Sequence, residues 1–160
     1  RIKEFNENGI VGHFMVQEDY PNLLFVNDGT SIIINGYKCL CVGGAYSVDK
    51  YYRLDMQSKG FNNYKWFEDE QTPQWLRDDV IKFLDVYNEF DFVFSHTCPY
   101  NFRPVDMFLS GIDQNKVDES QEHFLQDVYN KIKFDKWYCG HWHTDRTMDN
   151  IRYLYNELGD

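Results

Sequence analysis

Three of the five histidines in this 160-residue sequence follow directly on short apolar runs. His96 comes after Phe92-Val93-Phe94-Ser95, and His141 and His143 come after Trp137-Tyr138-Cys139 and one glycine. Neutral imidazole is the commonest metal ligand in proteins, and a glycine lets the backbone turn sharply before the ligands. A single histidine at the end of a strand more often bonds to a backbone carbonyl or to water, but clustering favours a site. We therefore predict that His96, His141 and His143 converge to hold one or two metal ions.

Two arginines and one aspartate are candidates for supporting roles. Arg53 lies in a predicted first helical turn, where backbone N–H groups and a cation can hold phosphate; a solvated helical turn with an ordinary ion pair is the alternative. Arg103 lies on the loop after the first histidine and is a second candidate for binding substrate. Asp145 follows His143 and is a candidate to accept a hydrogen bond from a ligand imidazole, while a role in a hairpin turn explains it equally well.

The other histidines and the cysteines are assigned to structural roles. His13 lies in a strand-like segment without a partner motif, and His123 lies in a predicted amphipathic helix away from its apolar side. Cys39 and Cys41 share one face of an apolar strand, as buried small residues do. None of the four cysteines forms a C-x-x-C pair, so a zinc site of histidine and cysteine ranks last and reduced thiols are expected.

Composition defines the class of protein in which these residues must work. A chain of 19.3 kDa with 42% hydrophobic and 18% aromatic residues is one globular domain rather than a disordered segment. The formal net charge of -10 excludes a nonspecific nucleic-acid binder, so a phosphate-bearing substrate would need positive charge from a metal. No apolar stretch approaches the roughly 20 residues that span a bilayer. We expect a cytoplasmic protein without a membrane partner.

Strands are predicted throughout the N-terminal third of the chain. Leu23–Val26 is a short apolar run, and Ser31–Ile34 meets Tyr37–Val42 across Asn35-Gly36, the strongest short hairpin signal. This third is therefore mostly antiparallel strand. The two apolar runs that precede the clustered histidines add further strands.

Helices are predicted between these strands from apolar spacing and end signals. We predict a short helix capped by Ser47, a helix opened by Thr72 with Pro73 at its first position, a helix over 118–133, and a C-terminal hairpin that turns at Asp149-Asn150. Strand, loop and helix thus alternate as in an α/β or α+β layered domain. Five aromatic residues are predicted to pack in the core rather than to stack on bases, namely Trp66, Phe67, Trp75, Phe92 and Phe94.

Three segments together resemble one known family. Gly140-His141-Trp142-His143, Ser95-His96 and Gly43-Gly44-Ala45-Tyr46-Ser47-Val48-Asp49-Lys50 occur in the order found in calcineurin-like metallophosphoesterases of the bacterial or phage serine/threonine-phosphatase-like type. The resemblance spans roughly Gly43 to Asn156 and includes the pairs Trp66-Phe67 and Glu70-Gln71. G-H-x-H alone is a weak signal, but the three segments in this order are specific.

The resemblance implies a fold and a reaction. The fold it implies is α/β, part of a four-layer α/β/β/α sandwich with mixed sheets, and the reaction is hydrolysis of a phosphoester by a dinuclear metal centre. His96 and His141 would share one ion, and His143 would hold its neighbour. Two divalent ions are implied, manganese first, with iron, zinc or nickel as alternatives. The substrate would be a phosphorylated protein or small molecule.

The earlier motifs of the family, D-x-H, G-D-x-x-D and G-N-H-[DE], do not occur in residues 1–160. The bridging carboxylate and the catalytic histidine would therefore lie upstream of Arg1, and we expect residues 1–160 to be the C-terminal portion of a single metallophosphoesterase domain. Alone, such a segment should be metal-poor and inactive. The alternative is a noncatalytic interaction module that keeps the scaffold with a partial or empty metal site.

Overall fold

Residues 2–157 are described by the computed structural model of this chain; Arg1 and residues 158–160 lie outside the described part. Nine strands of residues 2–157 form one mixed sheet in the order β1-β2-β4-β5-β6-β7-β9-β8, with β3 paired to β2. The strands are β1 (Ile2–Glu7), β2 (Ile10–Gln17), β3 (Tyr20–Phe25), β4 (Thr30–Ile34), β5 (Tyr37–Val42), β6 (Phe92–Ser95), β7 (Lys136–Cys139), β8 (Arg146–Met148) and β9 (Ile151–Tyr153). The helices are α1 (Lys50–Ser58), α2 (Gln74–Leu84) and α3 (Ser120–Lys131). Among the described residues, no helix has the length and apolar character needed to cross a membrane.

The strand pairing changes from antiparallel to parallel at β5. Strands β1, β2, β4 and β5 pair antiparallel, whereas β5, β6, β7 and β9 pair parallel and β8 pairs antiparallel with β9. Antiparallel neighbours can be joined by tight turns, but parallel neighbours need longer crossovers. The crossovers from β5 to β6 and from β6 to β7 carry the helices, and the one from β7 to β9 carries β8. The chain is thus a mixed α/β structure, which confirms the coarse fold class predicted from the sequence.

Asparagine-glycine turns form the hairpins of the antiparallel part. Asn35 and Gly36 join β4 to β5 with φ of 50° and 87°, which confirms the prediction for this pair. Asn8 and Gly9 join β1 to β2 in the same way, with φ of 53° and 77°, although no hairpin is predicted at this pair. The C-terminal hairpin of β8 and β9 turns at Asp149-Asn150, as predicted.

The helices start later than predicted. α1 begins after Asp49 rather than after Ser47, whose carbonyl accepts a backbone hydrogen bond in the turn that leads into the helix. Pro73 precedes α2 instead of opening it, because its ψ of 152° is extended. α3 begins at Ser120, since the Asp118 carboxylate accepts the backbone N–H of that residue at 2.9 Å in a turn before the helix.

α2 and α3 pack together on one face of the parallel strands. The main apolar core lies there and contains Leu40, Val42, Val93, Trp137, Cys139, Ile151 and Tyr153 from the sheet and Val80, Leu84, Phe124, Leu125 and Val128 from the helices. Trp137 is fully buried and donates its indole N–H to the hydroxyl of Ser95 at 2.6 Å. This core therefore fixes the strands whose ends carry the predicted metal ligands.

The opposite face of the parallel strands carries Cys41, Phe94, Tyr138 and Arg152 side by side in register. The rings of Phe94 and Tyr138 stack with centroids 5.5 Å apart. The apolar cluster on this face is built from strand and turn residues and includes no residue of α1, α2 or α3. Residues 2–157 thus form one sheet with α2 and α3 packed on one face; the second sheet of a four-layer sandwich is not among them.

Three of the five aromatic residues predicted for the core are exposed. Phe67 is 62% exposed, Trp75 66% and Phe94 37%. Trp75 lies one position from the apolar side of α2, and Phe94 points to the uncovered sheet face, so neither faces the helix-covered core. The prediction is wrong for these three residues, whereas Phe92 packs in the second apolar cluster and Trp66 is half-buried.

Two glycines in left-handed turns give a matched test of the packing between the sheet and α2. Gly36 has open space where a Cβ would lie, whereas a Cβ at Gly29 (φ 74°) would lie 2.2 Å from Cγ2 of Val80. Gly36→Ala should lower the free energy of unfolding by about 1 kcal/mol through backbone strain alone. Gly29→Ala should lower it by a further ~1–3 kcal/mol, because α2 must shift. Urea unfolding of both variants measures the difference, and equal losses would contradict this packing.

Candidate functional site

The ends of β5, β6 and β7 bring three loops to one edge of the sheet. Val42 pairs with Ser95 and Ser95 pairs with Cys139, so the residues that follow them leave the sheet at the same level. The backbone N–H of Gly140 donates to the carbonyl of His96 at 2.9 Å, which ties the second loop to the third. The carboxyl ends of parallel strands are where α/β proteins place their ligand sites.

His96 and His141 lie next to each other at this edge. Their ring centroids are 5.1 Å apart, a separation that suits two ligands of one ion. His143 lines the same cavity, and its ring stacks on Tyr155 with centroids 4.7 Å apart. The structure therefore brings the three predicted histidines together around one cavity.

The backbone at the last two histidines adopts the left-handed conformation. His141 has φ of 66° and His143 has φ of 48°, and this conformation costs about 1–2 kcal/mol for a residue other than glycine. Such conformations persist only where surrounding contacts hold them, and they cluster at functional sites. Trp142, between the two histidines, provides one such contact because its ring stacks on Phe108 at 5.5 Å.

Burial and mutual repulsion favour the neutral form of two imidazoles. Desolvation first, and then the charges of His96 and His143, lower the pKa of His141 from 6.5 to about 4, against a smaller opposite effect of Glu70. Partial desolvation, followed by the charge of His143, also lowers the pKa of His96. A neutral imidazole is the form that binds a metal ion.

Four carboxylates lie near the histidines, but each one is engaged by another group. Asp49 pairs with Arg53 Nε at 2.8 Å, Glu119 pairs with Arg103, Glu122 accepts from Thr97 Oγ1 at 2.9 Å, and Glu70 accepts from the Ser47 N–H at 3.1 Å. No group of three or more His, Cys, Asp or Glu side chains within residues 2–157 is arranged to hold a metal ion. Among the described residues, His96 and His141 can therefore bind one metal ion together, but they do not form a complete ligand set.

The cysteines do not complete the ligand set. All four are free thiols, and Cys39 is 1% exposed. Burial raises the pKa of Cys41 and of Cys98 to about 12 and raises that of Cys139 as well. Zinc binds the thiolate, which burial disfavours. The chemistry of these groups therefore agrees with their assignment to the core.

Both arginines predicted to bind substrate line the cavity, and both are paired. Arg53 forms the surface ion pair with Asp49 that the sequence left open, and its side chain remains 40% exposed. Arg103 is 13% exposed, pairs with Glu119 and lies over the ring of Tyr100 at 3.6 Å. Arg53 is thus the more accessible cation, whereas Arg103 mainly fixes its own loop.

Asp145 holds the C-terminal turn. Its carboxylate accepts backbone N–H groups from Tyr155 at 2.8 Å, Asn156 at 3.0 Å and Glu157 at 3.2 Å, and these bonds lower its pKa. The turn carries the ring that stacks on His143. Of the two roles that the sequence leaves open for Asp145, the structure shows the one in a turn, and Asp145 acts on His143 through Tyr155.

Two carboxylates near the site, those of Glu122 and Glu70, are not among the site residues predicted from the sequence. Glu122 is 5% exposed, lines the cavity, and has a pKa raised mainly by desolvation. Its position three residues before Leu125 places it on the apolar side of α3, which is a readable signal. Glu70 holds the first loop, because its carbonyl accepts the Ala45 N–H at 3.0 Å in addition to its side-chain bond. Its role depends on tertiary contacts and has no comparable signal.

His13 and His123 lie away from the three clustered histidines, as expected. His13 is exposed on β2, and His123 is exposed on α3 with its ring stacked on Tyr100 at 3.9 Å. Neither of them lines the cavity. They therefore serve as natural controls for the clustered histidines.

No protein-family model, curated protein or solved structure matches this chain. The resemblance to metallophosphoesterases therefore rests on the residue motifs alone. In the described residues, those motifs lie at the carboxyl ends of the parallel strands and around one cavity.

The lowered pKa of His141 predicts a pH dependence of stability. The unfolded imidazole titrates near 6.5 and the folded one near 4, so the unfolded chain binds the proton first as the pH falls. The free energy of unfolding should be highest above about pH 6.5 and should decline as the pH falls towards 4. Urea unfolding should show a weaker decline for His141→Gln than for the wild type. A ring-proton NMR titration of His141 with a midpoint near 6.5 would contradict this account.

Proposed function

We propose that this chain supplies the histidine half of a dinuclear metal centre that hydrolyses a phosphoester. The observation that supports the proposal best is the 5.1 Å approach of the His96 and His141 rings at the carboxyl ends of parallel strands, with His143 in the same cavity. Imidazole ligands suit zinc, iron and nickel, and manganese, the metal that the resemblance puts first, would need carboxylate ligands beside them. The substrate is a phosphorylated protein or small molecule.

The histidines and Arg53 would have different roles at the metal centre. His96 and His141 would hold one ion and His143 its neighbour, and bound divalent ions supply a nucleophilic water and stabilise phosphoryl oxygens. Arg53, with an exposed guanidinium in the cavity, would bind a phosphate oxygen. The cations would offset the net charge of -10, which otherwise repels a phosphate.

We also propose that a second sheet covers the face that carries Phe94 and Tyr138, which would complete the four-layer sandwich. Parallel strands are normally covered on both faces, and in residues 2–157 the helix residues of the apolar core lie on the other face. The carboxylate ligands that the cavity lacks would then come with that second sheet. A second sheet would thus explain both the uncovered aromatic face and the incomplete ligand set.

The second candidate function is a noncatalytic interaction module with a partial or empty metal site. It is favoured by one observation, namely that the nearby carboxylates are already paired and leave two imidazoles without a third ligand among the described residues. An interaction module needs no metal, so metal binding separates the two candidates.

The test is a titration of the chain with Mn²⁺, followed by paramagnetic broadening of the histidine ring signals. We expect weak but saturable binding, because the described residues supply two ligands of the ion, with His96 and His141 broadened first. His141→Ala should weaken binding by more than about tenfold, the lower limit reported for loss of a group outside the ligand shell. His123→Ala, a matched exposed histidine away from the cavity, should bind as the wild type does.

The outcomes distinguish the two candidates directly. Equal broadening of all five histidines, or equal affinity of the two variants, would contradict the metal site and support the interaction module. Cleavage of an aryl phosphate by the chain itself is not expected, because the upstream motifs of the family do not occur in its sequence.

A further inference from the structure

The cavity at the strand ends combines two kinds of lining. Its volume is about 490 Å³, which suits a small organic ligand. Besides the histidines it is lined by Met107, Phe108, Leu109 and Ile112, called the apolar wall below. All four residues belong to the segment between β6 and α3. The cavity therefore offers metal-binding groups and apolar surface to the same ligand.

The apolar wall is fixed at several points along its segment. Arg146 donates from both terminal nitrogens to the carboxylate of Asp106, at 3.0 and 2.7 Å. Phe108 stacks on Trp142, which lies between two of the histidines. Arg103 pairs with Glu119 at the far end of the segment. These contacts hold the wall in a defined position relative to the histidines before any ligand arrives.

Two residues of the wall are exposed to solvent. Leu109 is 64% exposed and Met107 is 40% exposed, although both line the cavity. Exposed apolar surface inside a cavity is typical of a binding site, because a ligand can cover it. Their position in the cavity beside the histidines, rather than their exposure alone, points to a ligand.

The charges around the cavity disfavour a ligand with many phosphates. Arg53 and Arg103 are both paired with carboxylates, and Glu122 adds a further buried carboxyl group. Among the described residues that line the cavity, Arg53 serves the first phosphate in the proposed function and Arg103 is held in its pair with Glu119, so no cation is left over for a second phosphate. One phosphate at the histidines and an uncharged group at the wall fit this lining best.

We infer that the cavity selects phosphomonoesters of an aromatic or otherwise apolar alcohol. The phosphate lies at the metal-binding histidines and the apolar group contacts Leu109, Met107 and Phe108. The inference rests on the proposed phosphoesterase function and adds the chemical class of the substrate. It assigns the wall the role of determining specificity.

The test compares two non-hydrolysable probes, phenylphosphonate and methylphosphonate, which differ only in the apolar group. The chain is titrated with each probe in the presence of Zn²⁺, and amide NMR shifts report the affinity and the residues contacted. Phenylphosphonate should bind about tenfold more tightly, because its ring covers apolar surface of the wall. Its additional shifts should fall on residues 107–112.

Variants of the exposed wall residues separate specificity from folding. The double variant Leu109→Asn, Met107→Gln removes apolar surface that solvent already reaches, so the fold should be retained. The preference for phenylphosphonate should drop below about threefold. Leu23→Asn is the matched control, because Leu23 is 53% exposed on β3 and does not line the cavity. It should keep the full preference.

The outcomes separate this inference from the proposed function. Equal binding of the two phosphonates, or a full preference retained in the double variant, overturns the wall as a specificity determinant and leaves the phosphate site standing. Failure of both phosphonates to bind the chain while Zn²⁺ shifts its histidine signals overturns the phosphoesterase function and this inference together.

Discussion

The parallel backbone pairing of β5, β6 and β7 is the constraint on which the rest of the structure depends. It sets Val42, Ser95 and Cys139 side by side, so that three loops leave the sheet together. A slip of one residue in β6 or β7 would turn Val93 or Trp137, both fully buried, away from the helices. It would also displace His96 or His141. The same strand register therefore buries the core and places the histidines.

α3 joins that core to the loops of the site. Its apolar residues seal the sheet, while Gln121, which is fully buried, accepts the Thr72 N–H at 3.0 Å and donates to the Gly43 carbonyl at 2.9 Å. The next residue, Glu122, accepts from Thr97 on the loop after His96. A single helix thus positions the first and second loops, and polar side chains on its buried side serve this purpose.

Local chemistry accounts for the parts of the structure that could be predicted from the sequence. Asn35-Gly36 predicts its hairpin because both residues tolerate the positive φ that a two-residue hairpin turn requires. The convergence of the histidines follows from strand ends in a parallel sheet, a rule that needs only the order of the elements. The apolar spacing of Phe124, Leu125 and Val128 likewise predicts the buried side of α3.

Features that depend on contacts between residues far apart in the sequence cannot be predicted from the sequence alone. The segment that carries the apolar wall is fixed by Asp106 with Arg146 and by Phe108 with Trp142, pairs that lie far apart in the sequence. The sequence leaves Asp145 open between an imidazole contact and a turn, because its bonds to the backbone of the C-terminal turn have no sequence signature. The exposure of Trp75 and Phe94 depends on which sheet and helix faces are covered, and composition alone does not specify that.

The central claim is that His96 and His141 act as ligands of one metal ion. Anomalous diffraction at the manganese edge, from crystals grown with Mn²⁺, tests it most directly. The account predicts a peak about 2 Å from one ring nitrogen of each of these two histidines, inside the cavity. A cavity without a peak, or a peak only at other residues, would contradict it.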